Sequence, residues 1–202
     1  FVASSNLKSA GLESVEVSLQ APGEHNVRNA LATLAIVDVL GLSREQAAKA
    51  LSKFTGTGRR FDLRGEANGV SVFDDYAHHP TEIKATLAGA RARYPERRIW
   101  AVWQPHTYSR TQALYLEFSR AFKDADEVIV TEVYAAREPK QEFTSAEIVS
   151  GMPHPSARYL ATLPQVTDYL LKNLHPNDVL IVLSAGDADQ ICADVLKALK
   201  ER

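Results

Sequence analysis

The sequence predicts an α/β fold: a mostly parallel, doubly wound sheet with an antiparallel edge strand, preceded by a short helical segment. Three observations lead there. From residue 58 onward apolar runs alternate with helix-period segments, the pattern of a parallel sheet covered on both faces. The runs VSVF at 70–73, IWAVW at 99–103, VIVT at 128–131 and VLIVL at 179–183 are apolar throughout, as central strands are. Asn68-Gly69 separates FDLRGEA at 61–67 from the first of these runs and signals a hairpin, which makes 61–67 the antiparallel edge.

Taken in order, ESVEVSL at 13–19 alternates like a half-buried strand, and the turn APG follows. From Asn26 the residues Val27, Leu31 and Leu34 share a helical face, and Gly41 sits where a helix C-terminus favours glycine. Ser43 with Gln46 reads as a capping box opening a second helix through Ala47, Ala50, Leu51 and Phe54. TGTG at 55–58 is a flexible joint, so the expected division is 1–57 and 58–202. Beyond it, Pro80 opens a helix whose face carries Ile83, Leu87 and Ala90. Ser109 with Gln112 caps a helix through Leu114, Phe118, Ala121 and Phe122, and Thr144/Glu147 and Thr162/Gln165 repeat the device. ARYL at 157–160 is a further strand, and a last helix from near Asp187 turns Ile191, Val195 and Leu199 inward.

Composition narrows the function. The chain has 202 residues, 45% of them hydrophobic, and a formal net charge of −2 with both signs spread along it. No basic stripe points to nucleic acid or an anionic membrane, so small-molecule partners are expected. Cys192 has no second cysteine to pair with and fits a reducing cytoplasm. No apolar run is long enough to span a bilayer and no signal sequence is evident, so a soluble cytoplasmic protein is expected. The chain opens on Phe1 and its only methionine is Met152, which leads us to expect a larger parent.

Ligands of open parallel sheets bind beyond the carboxyl ends of the strands, where loops and helix N-termini converge. Four junctions matter here: 74–80 (DDYAHHP), 104–110 (QPHTYSR), 134–139 (YAAREP) and 184–187 (SAGD). Their carboxylates and histidines are of metal-ligand type, but consecutive residues such as His78 and His79 point different ways, so no protein-only metal site is expected. Arg110 falls in the first turn of its helix, where the macrodipole disfavours a cation unless an anionic ligand accompanies it. The competing reading is an arginine whose head lies in solvent. Asn26 and Asn29, three apart beside His25, suit a base or sugar edge, with Gly23 leaving room; a simple helix cap at Asn26 is the alternative. Arg59-Arg60 beside the joint reads either as a phosphate holder or as a solvated basic pair. No G-x-x-x-x-G-K-[ST] loop and no G-x-G-x-x-G after a strand is present, so this chain does not cradle nucleotide phosphates unaided.

GEHNVRNALA at 23–32 and GRRF at 58–61 resemble motifs of the Mur ligases of peptidoglycan synthesis. DDYAHHPTE at 74–82, QPHTYSRT at 104–111 and the YAAREP loop resemble the members that add L-alanine in particular. The resemblance covers essentially the whole chain. It implies the end of a central ATPase domain up to residue 57, followed by a carboxy-terminal dinucleotide-fold-like domain from 58. The implied activity is ATP-dependent ligation of L-alanine to UDP-N-acetylmuramate through an acyl phosphate. Amino-terminal and central domains of the same enzyme would carry the phosphate loop and the Mg2+ ligands. Carried over by motif, Asn26 and Asn29 would contact the adenine end of ATP, Arg60 the nucleotide near its phosphates, and Asp75 the ribose. Tyr76, His78, His106 and Arg110 would surround the amino acid and acceptor carboxylate, with His78, His106 and Arg110 catalytic. The chain departs from the pattern at Thr107, where many relatives carry arginine, and at Ser184, where glycine is usual. Two rivals are kept: a ligase recycling cell-wall tripeptide, and a non-catalytic ligand-binding module.

Overall fold

The computed structural model describes residues 2–4, 14–20, 23–55 and 58–201. The chain splits into two compact units, Phe1–Thr57 and Gly58–Arg202. Glu13, Ala21, Pro22, Gly56 and Thr57, which belong to the expected strand, turn and joint, lie outside the described residues.

In the first unit, β1 (Val2–Ser4) pairs antiparallel with β2 (Ser14–Glu16), and α1 (Glu24–Val39) and α2 (Arg44–Leu51) follow. Val17, Leu34 and Ala48 form its small core. Gly41 takes a φ of 67° just past α1, the left-handed stop expected of it. Ser43 Oγ accepts the Gln46 N–H at 3.2 Å, giving α2 its cap. The inward face of α1 differs from expectation: Ala30 and Leu34 are buried while Leu31 is 43% exposed. Apolar period locates a stripe on a helix, but what packs on it decides which edge is covered.

The second unit is built on six strands in the order β3 (Asp62–Ala67), β4 (Val70–Asp75), β8 (Val179–Ser184), β5 (Ile99–Gln104), β6 (Glu127–Val130), β7 (Ala157–Tyr159). All neighbours are parallel except β3 and β4, which form the expected hairpin. Asn68 and Gly69 both have positive φ, 47° and 76°, as a two-residue type I′ turn requires. Strands β4, β5 and β8 are buried along their whole length. Their alternate residues supply two cores, one on each face. Ala101, Trp103, Ile181 and Leu183 pack with Ile83 and Leu87 of α3 (Pro80–Arg93), with Phe118, and with Ile148. Trp100, Val102, Leu180 and Val182 pack with Val166 and Leu170 of α7 (Leu163–Asn173) and with Ile191, Val195 and Leu199 of α8 (Gln190–Lys200). The sheet is doubly wound, as predicted.

Capping boxes form at Thr144/Glu147, opening α6 (Ser145–Ser150), and at Thr162/Gln165, opening α7. The one expected at Ser109/Gln112 does not. The segment is two short helices, α4 (Tyr108–Ala113) and α5 (Tyr115–Ser119), and the α4 N-cap is Thr107 with no side-chain cap bond. The Glu138 carboxylate takes the place of the missing cap, accepting from the Ser109 N–H at 3.0 Å and from its hydroxyl. The last helix starts at Gln190, three residues past Asp187, whose carboxylate accepts from Gln104 Nε2 at 2.7 Å.

Candidate functional site

The carboxyl ends of β4, β5, β6 and β8 bring four loops to one rim. A row of rings runs along it. Tyr76 meets His78 edge-on at 5.1 Å between centroids, His78 meets His106 at 5.9 Å, and His106 stacks on Tyr134 at 5.8 Å. Arg59 and Arg60 place their guanidinium carbons 5.2 and 5.7 Å from the Tyr76 ring centre. Tyr76, His78 and His106, which the resemblance groups with Arg110, thus lie in one row, with Tyr134, Arg59 and Arg60 beside them.

Each ring is aimed by backbone geometry. His79 caps α3 by accepting the Thr81 N–H at 3.3 Å, so the two adjacent histidines diverge and His78 alone joins the row. His78 Nδ1 lies 2.8 Å from the Tyr76 carbonyl. A carbonyl only accepts, so Nδ1 carries a proton and any free lone pair of the ring is at Nε2. His106 and Tyr134 form an isolated parallel bridge: Tyr134 N–H donates to Pro105 O at 2.8 Å, and Thr107 N–H to Tyr134 O at 2.9 Å. Between them Thr107 holds a φ of 64°. That conformation is rare for a β-branched residue and costs on the order of 1–3 kcal/mol.

His106 Nδ1 and Arg110 Nη1 are buried and have no hydrogen-bond partner among the described residues. An unmatched guanidinium N–H in such a place favours an anionic ligand over the solvent reading of Arg110. Burial, reinforced by the charges of Arg110 and His78, holds the His106 imidazole below its usual pKa. It is thus neutral at neutral pH and able to accept a proton.

Asp75 has protein partners at both of its oxygens. Its side chain is buried, with one oxygen accepting the Ala77 N–H at 2.8 Å and the other the Phe61 N–H at 2.8 Å and the Thr86 hydroxyl at 3.1 Å. Burial raises its pKa despite these donors. The carboxylate ties β4 to the segment entering β3 and to α3. Arg59, read from the sequence with Arg60 as a phosphate holder or a solvated basic pair, is tied down: Nε donates to Asp74 at 2.9 Å and Nη2 to the Ser184 carbonyl at 2.9 Å. Ser184 itself is buried, its hydroxyl donating to Gln104 Oε1 at 2.8 Å and accepting the Gly186 N–H at 3.0 Å. Gly186 allows the close approach that seats Tyr134, since a Cβ there would lie 2.6 Å from Tyr134 Cγ. Glu82, for which no role is read from the sequence, accepts from the N–H groups of His78 and His79 at 3.0 and 3.1 Å and pairs with Arg60 at 3.3 Å. Burial pushes its carboxyl up, but these donors and charges outweigh it and hold it below its ordinary pKa.

In the first unit, the space beside Gly23 is taken by the His25 ring, 2.7 Å from where a Cβ would stand, so it is not left open as expected. Gly23 is the N-cap of α1, which removes the cap reading of Asn26; the Asn29 side chain is exposed. Among the described residues no three of His, Cys, Asp and Glu converge as metal ligands, and no helix is long and apolar enough to cross a membrane.

A doubly wound α/β domain with an arginine- and imidazole-lined rim at the carboxyl edge of its sheet has the architecture of the nucleotide-fold class, in which that edge is where ligands are held. Residues 59–186 match the Mur ligase, glutamate ligase domain, and the chain belongs to the Mur ligase family. It is 45% identical over 185 residues to the UDP-N-acetylmuramate--L-alanine ligase of Acetivibrio thermocellus, covering 90% of this chain and 39% of that protein. Among solved structures it resembles the UDP-N-acetylmuramate-alanine ligase MurC of Thermotoga maritima, with TM-score 0.77 and 30% identity over 95% of this chain and 41% of that one. A murein peptide ligase of Psychrobacter arcticus matches with TM-score 0.71 and 29% identity, covering 98% of this chain and 41% of that chain. The chain thus spans about two fifths of the length of these relatives.

Proposed function

We infer that this chain is the carboxy-terminal part of a UDP-N-acetylmuramate-L-alanine ligase, closing over ATP, the UDP-sugar and L-alanine. The observation that carries the chemistry is the ring row from Tyr76 to Tyr134 with the unmatched Arg110 Nη1 beside it. The identity with L-alanine-adding relatives supports the substrate, and favours it over the tripeptide-recycling alternative. Residues 1–57 are then the end of the central ATPase domain, with Asn26 and Asn29 toward the adenine.

In this reading the γ-phosphoryl group of ATP passes to the lactyl carboxylate, releasing ADP and leaving an acyl phosphate. The amine of L-alanine attacks its carbonyl carbon, the tetrahedral intermediate collapses, and phosphate leaves as the amide forms. Alanine must shed a proton to become a nucleophile, and neutral His106, or the Nε2 of His78, accepts it. Arg110 binds the negative charge of the carboxylate and of the developing oxyanion. Arg60 faces the nucleotide, and Tyr76 walls the amino acid. Asp75 holds this rim in shape in place of touching the ribose. By the family resemblance the Mg2+ ligands lie in the rest of the enzyme, and no step is assigned to the metal on this chain.

The test is phosphate release by the complete enzyme in the presence of ATP and UDP-N-acetylmuramate, with L-alanine or with the L-Ala-D-Glu-diaminopimelate tripeptide as acceptor partner. Turnover that depends on L-alanine is expected. Arg110→Ala should depress kcat at least about tenfold while leaving the KM for ATP within about twofold. Preference for the tripeptide, or unchanged kinetics in the variant, would overturn the substrate or the role of Arg110 respectively.

A further inference from the structure

The contacts around Glu82 close into a ring. Its Oε1 pairs with Arg60 Nη1 at 3.3 Å, while its Oε2 accepts the His78 and His79 N–H groups at 3.0 and 3.1 Å and lies 3.7 Å from His78 Nδ1. His78 Nδ1 bonds the Tyr76 carbonyl at 2.8 Å and its ring meets the Tyr76 ring edge-on. Tyr76 in turn lies under the Arg60 guanidinium, 5.7 Å from its centroid. One carboxylate thereby reaches both the cation that lies over the Tyr76 ring and the backbone N–H of the histidine whose ring meets Tyr76 edge-on.

A glutamate at the third position of a helix, reaching back to its N-cap, is normally a cap and no more. Here only one oxygen is needed for that. The second oxygen is directed at Arg60, whose side chain comes from the segment ahead of β3, 22 residues earlier. We propose that Glu82 is a positioning residue that sets Arg60 and His78 in mutual register, so that the group facing the nucleotide and the group facing the amino acid are placed by one side chain. The proposal rests on the reading above for what Arg60 and His78 face; the ring of contacts stands without it.

Two variants separate the cap from the coupling. In Glu82→Gln the amide oxygen still serves the His78 and His79 N–H groups, but a neutral NH2 replaces the oxygen that holds Arg60. In Glu82→Ala both functions go. The side-chain resonances of Arg60 Nε–H and of the His78 ring, measured by 1H–15N NMR on the ligand-free 202-residue chain, are expected to shift at Arg60 alone in the first variant and at both in the second. Arg60→Ala should leave nothing further for Glu82→Gln to change at that site. In the complete enzyme, Glu82→Gln should raise the KM for ATP about threefold, the scale of a half-exposed ion pair, and add nothing to the effect of Arg60→Ala. Glu82→Ala should also lower kcat/KM for L-alanine. Unmoved Arg60 resonances in Glu82→Gln, or additive effects of Glu82→Gln and Arg60→Ala, would reduce Glu82 to a helix cap and overturn the proposal. A wild-type enzyme with no L-alanine-dependent turnover would instead overturn the proposed function, leaving the NMR result to decide on Glu82.

Discussion

Replacing Asp75 by asparagine tests whether this carboxylate supports the fold or binds a ligand. In the structure its two oxygens serve the Ala77 N–H, the Phe61 N–H and the Thr86 hydroxyl. Asparagine keeps one oxygen and puts a donor in place of the other, so a backbone N–H, either of Phe61 or of Ala77, faces an NH2 group. A hydrogen bond to a charged group contributes about 1.5–3 kcal/mol, and a buried donor left unpaired costs about 1–3 kcal/mol more. Against this, the variant removes a charge whose burial is unfavourable, as the raised pKa of Asp75 records. The net loss should be about 2–4 kcal/mol. Urea unfolding of the ligand-free chain can be followed by fluorescence, because Trp100 and Trp103 are both fully buried in β5. With a slope of about 2 kcal/mol per molar urea, the midpoint should fall by about 1–2 M. An unchanged midpoint at unchanged slope, together with a raised KM for ATP, would refute the argument and return Asp75 to the ribose.

Gly186→Ala places a methyl group 2.5 Å from Gln104 Oε1 and 2.6 Å from Tyr134 Cγ, so it should cost about 1–3 kcal/mol in thermal unfolding and unstack Tyr134 from His106. Thr107→Gly relieves a positive φ of 64° but frees the unfolded chain, so stability should move by less than about 1 kcal/mol, whereas kcat should fall as His106 and Arg110 lose their fixed relation. Acid sensitivity should be set partly by Glu132. Burial raises its pKa, but bonds from Tyr159, Val133, Thr144 and Ser145 outweigh this and lower it overall. Its contribution is present above the unfolded value and is lost as pH falls through the folded one, so the stability gap between wild type and Glu132→Gln should narrow on acidification below about pH 4.5; a gap independent of pH would exclude the network. Asp74 and Asp75, both raised by burial, act with the opposite sign and favour the folded state as they protonate.

What could be read in the sequence was what short range decides. The Asn68-Gly69 hairpin, the wholly apolar central strands and the boxes at Thr144 and Thr162 each depend on a few consecutive residues, and each is found in the structure. What could not be read was decided by partners far along the chain. The Ser109 cap gave way because Glu138, 29 residues on, supplies a carboxylate to the Ser109 N–H. The covered face of α1 is set by Val17 and Ala48 rather than by its own period. Asp75 belongs to a string that reads as site chemistry, yet its oxygens are claimed by Phe61 and Thr86. The signal for Glu82 was present as the cap spacing from His79, but its second oxygen can be assigned only once Arg60 is in place.

The rim owes its shape to residues held where they do not rest easily. Arg59, Phe61, Thr107 and Ala136 have positive φ and lie in segments that carry or flank site side chains, whereas the other two non-glycine cases among the described residues, Asn68 and Asn177, are of a residue type that tolerates it. Such strain persists only where surrounding bonds overdetermine the backbone. The Arg59 carbonyl accepts the Tyr76 N–H at 2.7 Å, Phe61 N–H is taken by Asp75, and Thr107 N–H is taken by Tyr134. Those same bonds set the height of Tyr76, the entry of Arg60 and the stacking of His106. The groups assigned to binding are thus placed by main-chain contacts between loops, with carboxylates such as Asp75 acting as the fasteners. Substitution of a fastener should therefore disturb several ligand-facing groups at once, while substitution of a ligand-facing group such as Arg110, which has an unmatched donor, should leave the fasteners in place.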